Sequence, residues 1–287
     1  MELIHAIAAM QAVADAARDK GKRLGLVPTM GALHRGHLAL VREAKKKADH
    51  VTVSIFVNPT QFAPGEDYEE YPRTLEADVE ALESIGGVDV VFAPSAEEMY
   101  PFGLPPFATV GVRDLGRHLC GAFREGHFEG VTSVVTRLFL ACRPDIAVFG
   151  QKDAQQLAIL KRMTAELGFG IEIIRHPIVR EEDGLAISSR NRYLNPAERK
   201  QAPVLSQAVR SVSKQVETGE RDVAALIDAM QQIVASAPLA RLQYAEIVDA
   251  ENLQPVETLQ PGRYLAALAV FFDGTRLIDN TTLEIAE

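Results

Sequence analysis

The chain has 287 residues, of which 47% are hydrophobic and 24% charged, and this composition is typical of a globular protein. Lysine and arginine number 30 against 39 aspartate and glutamate residues, and the net charge of −9 argues against the broad basic surface of a nucleic-acid-binding protein. No stretch approaches the ~18–20 apolar residues of a membrane span, and two cysteines, Cys120 and Cys142, fit reduced thiols in a cytoplasmic protein.

The first residues predict an amphipathic helix. Residues 1–23 place apolar side chains at helical spacing, with Glu2 near the start and Asp15 and Asp19 further on. A secretory signal peptide would begin with basic residues instead. We therefore expect this segment to be a helix of the folded protein.

Strands and helices alternate from there to about residue 178. Apolar runs predict strands at 24–27, 51–57, 88–92, 146–149 and 171–175. Helical spacing predicts helices at 37–47, 74–85, 131–142 and 154–167. The strands are short and barely alternate, which is typical of strands buried on both faces. We expect an α/β fold, a Rossmann-like parallel sheet whose ligand binds beyond the carboxyl ends of the strands.

The pattern changes after residue 178. Spacing predicts a helix pair at 196–217 and 223–235, followed by alternating strands at 243–248, 264–272 and 283–285. Two helices followed by a small antiparallel sheet indicate a smaller α+β domain. The expected domains are therefore 1–178 and 179–287.

The loop after the first predicted sheet strand favours phosphate binding. Thr29, Gly31 and Gly36 permit a tight loop close to a ligand, and His34 and His37 are three residues apart at the start of a helix. The free N–H groups of a helix N-terminus bind phosphate, and its positive end favours neutral imidazoles that donate hydrogen bonds. The alternatives are packing of both histidines or a zinc site. Zinc is disfavoured because the neighbouring residues offer no cysteine or further histidine.

Polar amides follow the strand at 51–57. Asn58 and Gln61 would point into the crevice, where amides suit hydroxyl and carboxylate groups. For Gln61, ligand contact is favoured. For Asn58, a turn is at least as good an interpretation, because Asn-Pro commonly forms turns.

The strand at 146–149 ends in a similar way. Gly150 lies at the bend, and the Lys152 ammonium could hold a phosphoryl group there. Asp153 is a candidate helix N-cap. We expect one of Gln155 and Gln156 to face the ligand, and the alternative for Lys152 is a solvated surface charge.

A fourth segment lies just beyond the expected domain boundary. Ser188, Ser189, Arg190 and Arg192 supply two hydroxyls and two guanidinium groups, a combination suited to polyphosphate. Such charge would stabilise pyrophosphate as a leaving group. The alternative is a polar loop between domains.

Six motifs occur together in one order and at characteristic spacing. They are PTMGALHRGH, SIFVNPTQF, YPRTLEAD, GHFEGVTSVV, FGQKDAQQ and LAISSRNRYL. Through these motifs the chain resembles the pantothenate synthetase (pantoate–β-alanine ligase) family, which belongs to the nucleotidylyltransferase superfamily with a His-x-Gly-His signature. The resemblance covers nearly the whole chain. The chain departs from the family at Arg35 and Gln151, where glutamate is frequent, and neither position is expected to take part in the chemistry.

The resemblance implies an ATP-dependent ligase. Pantoate and ATP would form an enzyme-bound pantoyl adenylate and pyrophosphate, and the amine of β-alanine would then give pantothenate and AMP. Mg²⁺ would accompany ATP. The resemblance also implies a homodimer in the cytoplasm, and we expect no nucleic-acid or membrane partner.

The resemblance also assigns roles to residues. Catalytic roles fall to His34, His37, Lys152, Ser188, Ser189 and Arg190, with His37 as proton donor. The ATP site would comprise Met30, Gly31, Ala32, Leu33, His34, Arg35, Gly36, His37, Gly150, Gln151, Lys152, Asp153, Val179, Ile187, Ser188, Ser189 and Arg190. The other substrates would contact Asn58, Gln61, Arg124, His127 and Gln156. Asp78 would help to place Mg²⁺.

Two other functions fit parts of the pattern. A nucleotidyltransferase that leaves AMP on a phosphorylated acceptor would need further cationic groups, whereas Gln61 and Gln156 offer amides. A nucleotide-sensing module without turnover would need fewer of these polar groups.

Overall fold

The computed structural model describes residues 1–63 and 65–287, which form two compact units. Unit 1 comprises Met1–Arg113, Arg124–Gln151 and Ile159–Pro177, and unit 2 comprises Asp114–Phe123, Lys152–Ala158 and Ile178–Glu287. The main stretch of unit 2 starts close to the expected boundary, but two short earlier segments also belong to it. The contiguous domains 1–178 and 179–287 stay a prediction.

Unit 1 contains a six-stranded sheet in which all neighbouring strands are parallel. Its strands are β1 Glu2–Ile4, β2 Leu24–Thr29, β3 His50–Ile55, β4 Val90–Phe92, β5 Ile146–Gly150 and β6 Glu172–His176. They lie in the order β1-β4-β3-β2-β5-β6, so the direction of winding reverses between β2 and β5. In open α/β sheets a ligand crevice forms at such a reversal, beyond the carboxyl ends of the strands.

Helices join these strands and cover the sheet. They are α1 Ile7–Asp19, α2 Arg35–Lys47, α3 Leu75–Ile85, α4 Ala96–Met99, α5 His127–Cys142 and α6 Ala154–Glu166, of which α6 begins in unit 2. Val41 and Ala44 of α2 share a core with Val27, Val53 and Ile146 of the sheet. All β3 residues but Ile55 are buried, so this strand is covered on both faces. The expected Rossmann-like parallel sheet is confirmed.

The N-terminal segment differs from the single helix that the sequence predicted. A three-residue strand, β1, comes first and pairs with β4, so that Glu2 lies opposite Val90 and Ile4 opposite Phe92. Helix α1 begins only at Ile7. A strand of three residues is too short to show alternation, and its pairing depends on a partner almost 90 residues away, so local spacing cannot reveal it.

Unit 2 contains a helix group and an antiparallel sheet, as expected. Its elements are α7 Pro196–Gln201, α8 Val204–Glu217, α9 Val223–Ala235, β7 Ala240–Asp249, β8 Gly262–Phe272 and β9 Thr275–Ile285. The helix predicted at 196–217 is divided before α8 by Pro203, which has no N–H to continue a helix. The strand predicted at 283–285 extends from Thr275 to Ile285 in the structure. The prediction is too short because Asp279 and Asn280 interrupt the apolar pattern of the strand, although the strand continues through them.

No helix in residues 1–63 and 65–287 has the length and apolar character needed to cross a membrane.

Candidate active site

Residues 30–37, called the histidine loop below, connect β2 to α2 and include the first residues of α2. They lie at the point where the sheet order reverses. His34 is the N-cap of α2, and its Nδ1 accepts a hydrogen bond from the Gly36 N–H at 3.2 Å. In the neutral imidazole the proton of His34 therefore lies on Nε2. The rings of His34 and His37 are stacked, with centroids 4.0 Å apart and planes 19° from parallel. Both imidazoles thus lie on one side of the helix start, as their spacing predicted.

Asp78 holds this loop in shape. Its carboxylate accepts hydrogen bonds from the backbone N–H groups of Ala32 at 2.9 Å and Leu33 at 2.7 Å, and from the Thr74 hydroxyl at 3.3 Å. Gly31 has a φ of +80°, and a Cβ there would lie 2.9 Å from the Asp78 carboxylate. Only glycine therefore fits the loop at this point.

These contacts place Asp78 in the framework of the loop, and its expected role in placing Mg²⁺ stays a prediction. The residue is only 3% exposed, and both carboxylate oxygens already accept hydrogen bonds. Within residues 1–63 and 65–287 no group of three or more histidine, cysteine, aspartate or glutamate residues could hold a metal ion.

Asn58 forms a turn, which is the alternative to the predicted ligand contact. Its Oδ1 accepts hydrogen bonds from the Thr60 N–H and, at 2.6 Å, from the Tyr100 hydroxyl. Its Nδ2 donates to Gln61 Oε1 at 3.1 Å and to the Gly130 carbonyl at 3.2 Å. With no exposed surface and both amide hydrogens engaged, Asn58 shapes the turn and orients Gln61.

Gln61 connects this turn to the histidine loop. Its Oε1 accepts from Asn58, and its Nε2 lies 2.9 Å from the Met30 sulfur. Met30 and Gln61 follow β2 and β3, which are neighbours in the parallel sheet. The structure therefore brings two of the predicted ligand-binding residues into contact at the carboxyl edge of the sheet.

Arg124 and His127 belong to a network that the sequence revealed only in part. Arg124 donates through Nε and Nη2 to the two carboxylate oxygens of Glu66, each at 2.6 Å. Its Nη1 lies 2.8 Å from His127 Nε2, and His127 Nδ1 lies 2.7 Å from the Gln61 carbonyl oxygen. Because a guanidinium only donates, His127 accepts at Nε2 and donates from Nδ1. The network thus ends on the backbone of Gln61.

Glu66 was missed by the sequence reasoning. It lies among several acidic residues, and nothing in the sequence distinguishes it from them. Partial burial acts to raise the pKa of Glu66, but the hydrogen bonds and charge of Arg124 and the N–H of Ala63 outweigh burial, so this pKa lies below its ordinary value. Glu66 is therefore an ionised partner that fixes Arg124.

The segment after β5 is divided between the units. Gly150 and Gln151 belong to unit 1, whereas Lys152 and Gln156 belong to unit 2. The Gln155 amide donates to the carbonyl oxygens of Leu115 and His118, at 2.8 Å each, and is buried. Gln155 therefore anchors the segment Asp114–Phe123 within unit 2. The expected ligand contact of Gln156 stays a prediction.

The serine–arginine segment, residues 188–192, follows a short hairpin in unit 2 in which Arg180 pairs with Ala186. The Ile187 N–H donates to the Val179 carbonyl at 3.0 Å, which brings two predicted ATP-site residues together. Ser188 then caps a short 3-10 helix, Ser189–Tyr193, by accepting a hydrogen bond from the Arg190 N–H at 3.3 Å. The predicted residues are thus divided between the two units.

Comparison with known proteins gives a consistent result over the whole length. Residues 2–282 match the family model described as pantoate-beta-alanine ligase. The chain is 60% identical to the pantothenate synthetase of Salinibacter ruber, over 99% of this chain and 98% of that one. It is 53% identical to the pantothenate synthetase of Heliobacterium modesticaldum, over 99% and 100%.

Solved structures agree. The pantothenate synthetase of Thermus thermophilus has a TM-score of 0.91 at 44% identity, with both chains fully covered. The pantoate-beta-alanine ligase of Francisella tularensis, described as complexed with beta-gamma ATP and beta-alanine, has a TM-score of 0.79 at 32% identity, covering 98% of this chain and 97% of that one. The chain belongs to the pantoate–β-alanine ligase family.

Proposed function

We propose that this enzyme condenses pantoate with β-alanine at the expense of ATP, through a pantoyl adenylate. The observation that carries the proposal is the histidine loop, whose stacked imidazoles lie at the start of α2 where the sheet order reverses. A helix N-terminus with two imidazoles at a switch point suits a nucleoside triphosphate. Membership of the ligase family supports pantoate and β-alanine as the other substrates.

In the first step a pantoate carboxylate oxygen attacks the α-phosphorus of ATP. One P–O bond forms, and the bond from the α-phosphorus to pyrophosphate breaks. The α2 N-terminus and His34 stabilise the developing negative charge, and His37 donates a proton to the leaving group. Mg²⁺ would accompany ATP and offset the charge of its phosphates, and Asp78, which also accepts the loop N–H groups, is the residue that would help to place it.

In the second step the amine of β-alanine attacks the acyl carbon of the adenylate. A C–N bond forms, the C–O bond to AMP breaks, and the amine releases a proton. Gln61, Gln156, Arg124 and His127 hold the two acids, with the amides binding hydroxyl and carboxylate groups. Asn58 acts by holding Gln61 rather than by contacting substrate.

We assign Lys152, Ser188, Ser189 and Arg190 to the phosphate chain, because ammonium, hydroxyl and guanidinium groups neutralise pyrophosphate as it leaves. Lys152 is 23% exposed at its side chain and lies 4.0 Å from the Asp153 carboxylate. This weak pairing leaves the ammonium available for a stronger anion.

Product analysis tests the proposal against its rivals. The enzyme is incubated with ATP, Mg²⁺ and pantoate, with and without β-alanine, and AMP and pyrophosphate are measured. We expect multiple turnovers of AMP only when β-alanine is present. Consumption of ATP without β-alanine-dependent AMP would indicate a nucleotidyltransferase, and binding of ATP without turnover would indicate a sensing module. Either result would refute the ligase assignment.

We also propose that the enzyme is a cytoplasmic homodimer formed through unit 1. The segment after α4 exposes Phe102 by 87% and Phe107 by 94%, with Leu104 partly exposed between them. Apolar side chains grouped in this way are typical of a covered interface. Light scattering should give a mass of two chains, and a single-chain mass at micromolar concentration would contradict this. The cytoplasmic location is supported by two free, buried cysteines.

A further inference from the structure

Asn280 is a buried polar residue in the middle of β9. It is 4% exposed, and its Nδ2 donates to the main-chain carbonyl oxygen of Lys152 at 2.9 Å. Both residues belong to unit 2, although they lie 128 positions apart in the sequence. Burying an amide without hydrogen bonds is costly, so its partner is a fixed part of the structure. Asn280 therefore ties the backbone of Lys152 to a sheet.

The neighbouring residue Asp279 fixes the other predicted phosphate-binding segment to the same strand. Its side chain has no exposed surface and accepts two hydrogen bonds from Arg180, at 2.6 and 2.9 Å. Arg180 also donates to the Gly184 carbonyl, inside the hairpin that leads to Ser188. Asp279 further accepts from the Asn280 N–H at 2.7 Å. Two adjacent residues of β9 thus support the two segments of unit 2, one at Lys152 and one leading to Ser188, to which we assign the phosphates.

Strand β9 is regularly paired along its whole length. It pairs with β8 without a register shift from Thr275 to Ile285, with Asn280 opposite Ala267. Lys152, in contrast, lies in a single turn of 3-10 helix, Gln151–Asp153, between β5 and α6. Since the position of a lysine ammonium depends on where its Cα is held, the link from β9 determines where the Lys152 side chain starts.

We propose that Asn280 is a positioning residue for ATP, which acts by holding the main chain of Lys152. The inference rests on the phosphate-binding role proposed above for Lys152. Misplacement of a catalytic group by about 1 Å lowers a rate on the order of 100-fold. Removal of the Asn280 link is therefore expected to impair adenylate formation while leaving the reaction with β-alanine unchanged.

The test compares Asn280→Asp with a control on the next residue. Asn280→Asp keeps the shape of the side chain but replaces the donor with an oxygen facing the Lys152 carbonyl. The control is Thr281→Ala, which removes a contact of 3.2 Å between the hydroxyls of Thr281 and Ser213. We expect Asn280→Asp to lower kcat/KM for ATP about 100-fold, with an unchanged KM for β-alanine, and Thr281→Ala to retain normal kinetics. Should Asn280→Asp not fold, Asn280→Ser serves for the same comparison.

A double-mutant cycle with Lys152→Ala separates this role from general structural support. If Asn280 acts through Lys152, the Asn280 substitution costs little further activity in the Lys152→Ala background. Equal losses in both backgrounds would overturn the inference, as would normal kinetics in a folded Asn280 variant while Lys152→Ala is impaired. Normal activity of Lys152→Ala itself would refute the proposed role of Lys152, and the inference with it.

Discussion

Asp78→Asn distinguishes a loop clamp from a metal ligand. The native carboxylate accepts one backbone N–H at each oxygen, from Ala32 and Leu33. Asparagine keeps one acceptor and turns an NH₂ group toward the second N–H. The substitution therefore removes one hydrogen bond to a charged acceptor and leaves a buried donor without a partner.

The size of the effect follows from these contacts. A hydrogen bond to a charged group contributes about 1.5–3 kcal/mol, and a buried unsatisfied donor costs about 1–3 kcal/mol. Since these contributions overlap, we expect the free energy of unfolding to fall by about 2–4 kcal/mol. We also expect turnover to fall, because the backbone from Met30 to Leu33 leads directly to His34.

Two assays decide between the roles. Urea unfolding measures stability, and a Mg²⁺ titration of turnover measures the metal requirement. The control is Glu76→Gln, which removes a charge from an exposed residue in the same helical turn. We expect Asp78→Asn to lose stability with an unchanged Mg²⁺ midpoint. An unchanged free energy of unfolding together with a higher Mg²⁺ midpoint would refute the role of Asp78 in holding the loop and would support its role as a metal ligand.

Other substitutions test the rest of unit 1. At Gly130 an added Cβ would overlap the carbonyl of Thr60, so Gly130→Ala should lower stability by about 1–3 kcal/mol in thermal unfolding, and an unchanged melting temperature would contradict that packing. The pKa of Glu66 is lowered in the folded state, so its stabilising effect is present above the unfolded pKa and is lost as the pH falls through the folded pKa. Wild type should therefore melt above Glu66→Gln at pH 7, and the difference should shrink below about pH 4; a constant difference would argue against the ion pair with Arg124. His37→Ala should lower turnover by orders of magnitude with normal circular dichroism, and near-normal turnover would exclude His37 as proton donor.

Local sequence patterns were sufficient to predict the parallel sheet and the position of the two histidines in the histidine loop. Strands such as β3 are apolar throughout because both faces are covered, and that pattern is visible in any short window. The side on which His34 and His37 lie also follows from spacing alone, because the start of a helix fixes residues three apart on one face.

The remaining features depend on partners distant in sequence. Strand β1 forms because it pairs with the edge of β4. Glu66 is part of the site only through its ion pair with Arg124, 58 residues away. Asn280 interrupts the apolar pattern of β9 and so prevents prediction of the full strand from the sequence. The same side chain donates a hydrogen bond to the Lys152 carbonyl oxygen. Asp78 carries a charge that suits a metal as well as a helix N-terminus, and its two N–H donors lie about 45 residues away, where no local pattern reveals them.

The transfer of an oxygen atom tests the proposed chemistry most directly. Pantoate labelled with ¹⁸O in its carboxylate is converted in the presence of ATP and β-alanine, and the products are analysed by mass spectrometry. Attack of the carboxylate on the α-phosphorus, followed by cleavage of the acyl C–O bond, places one labelled oxygen in AMP. Label in pyrophosphate or inorganic phosphate, with unlabelled AMP, would contradict the pantoyl adenylate.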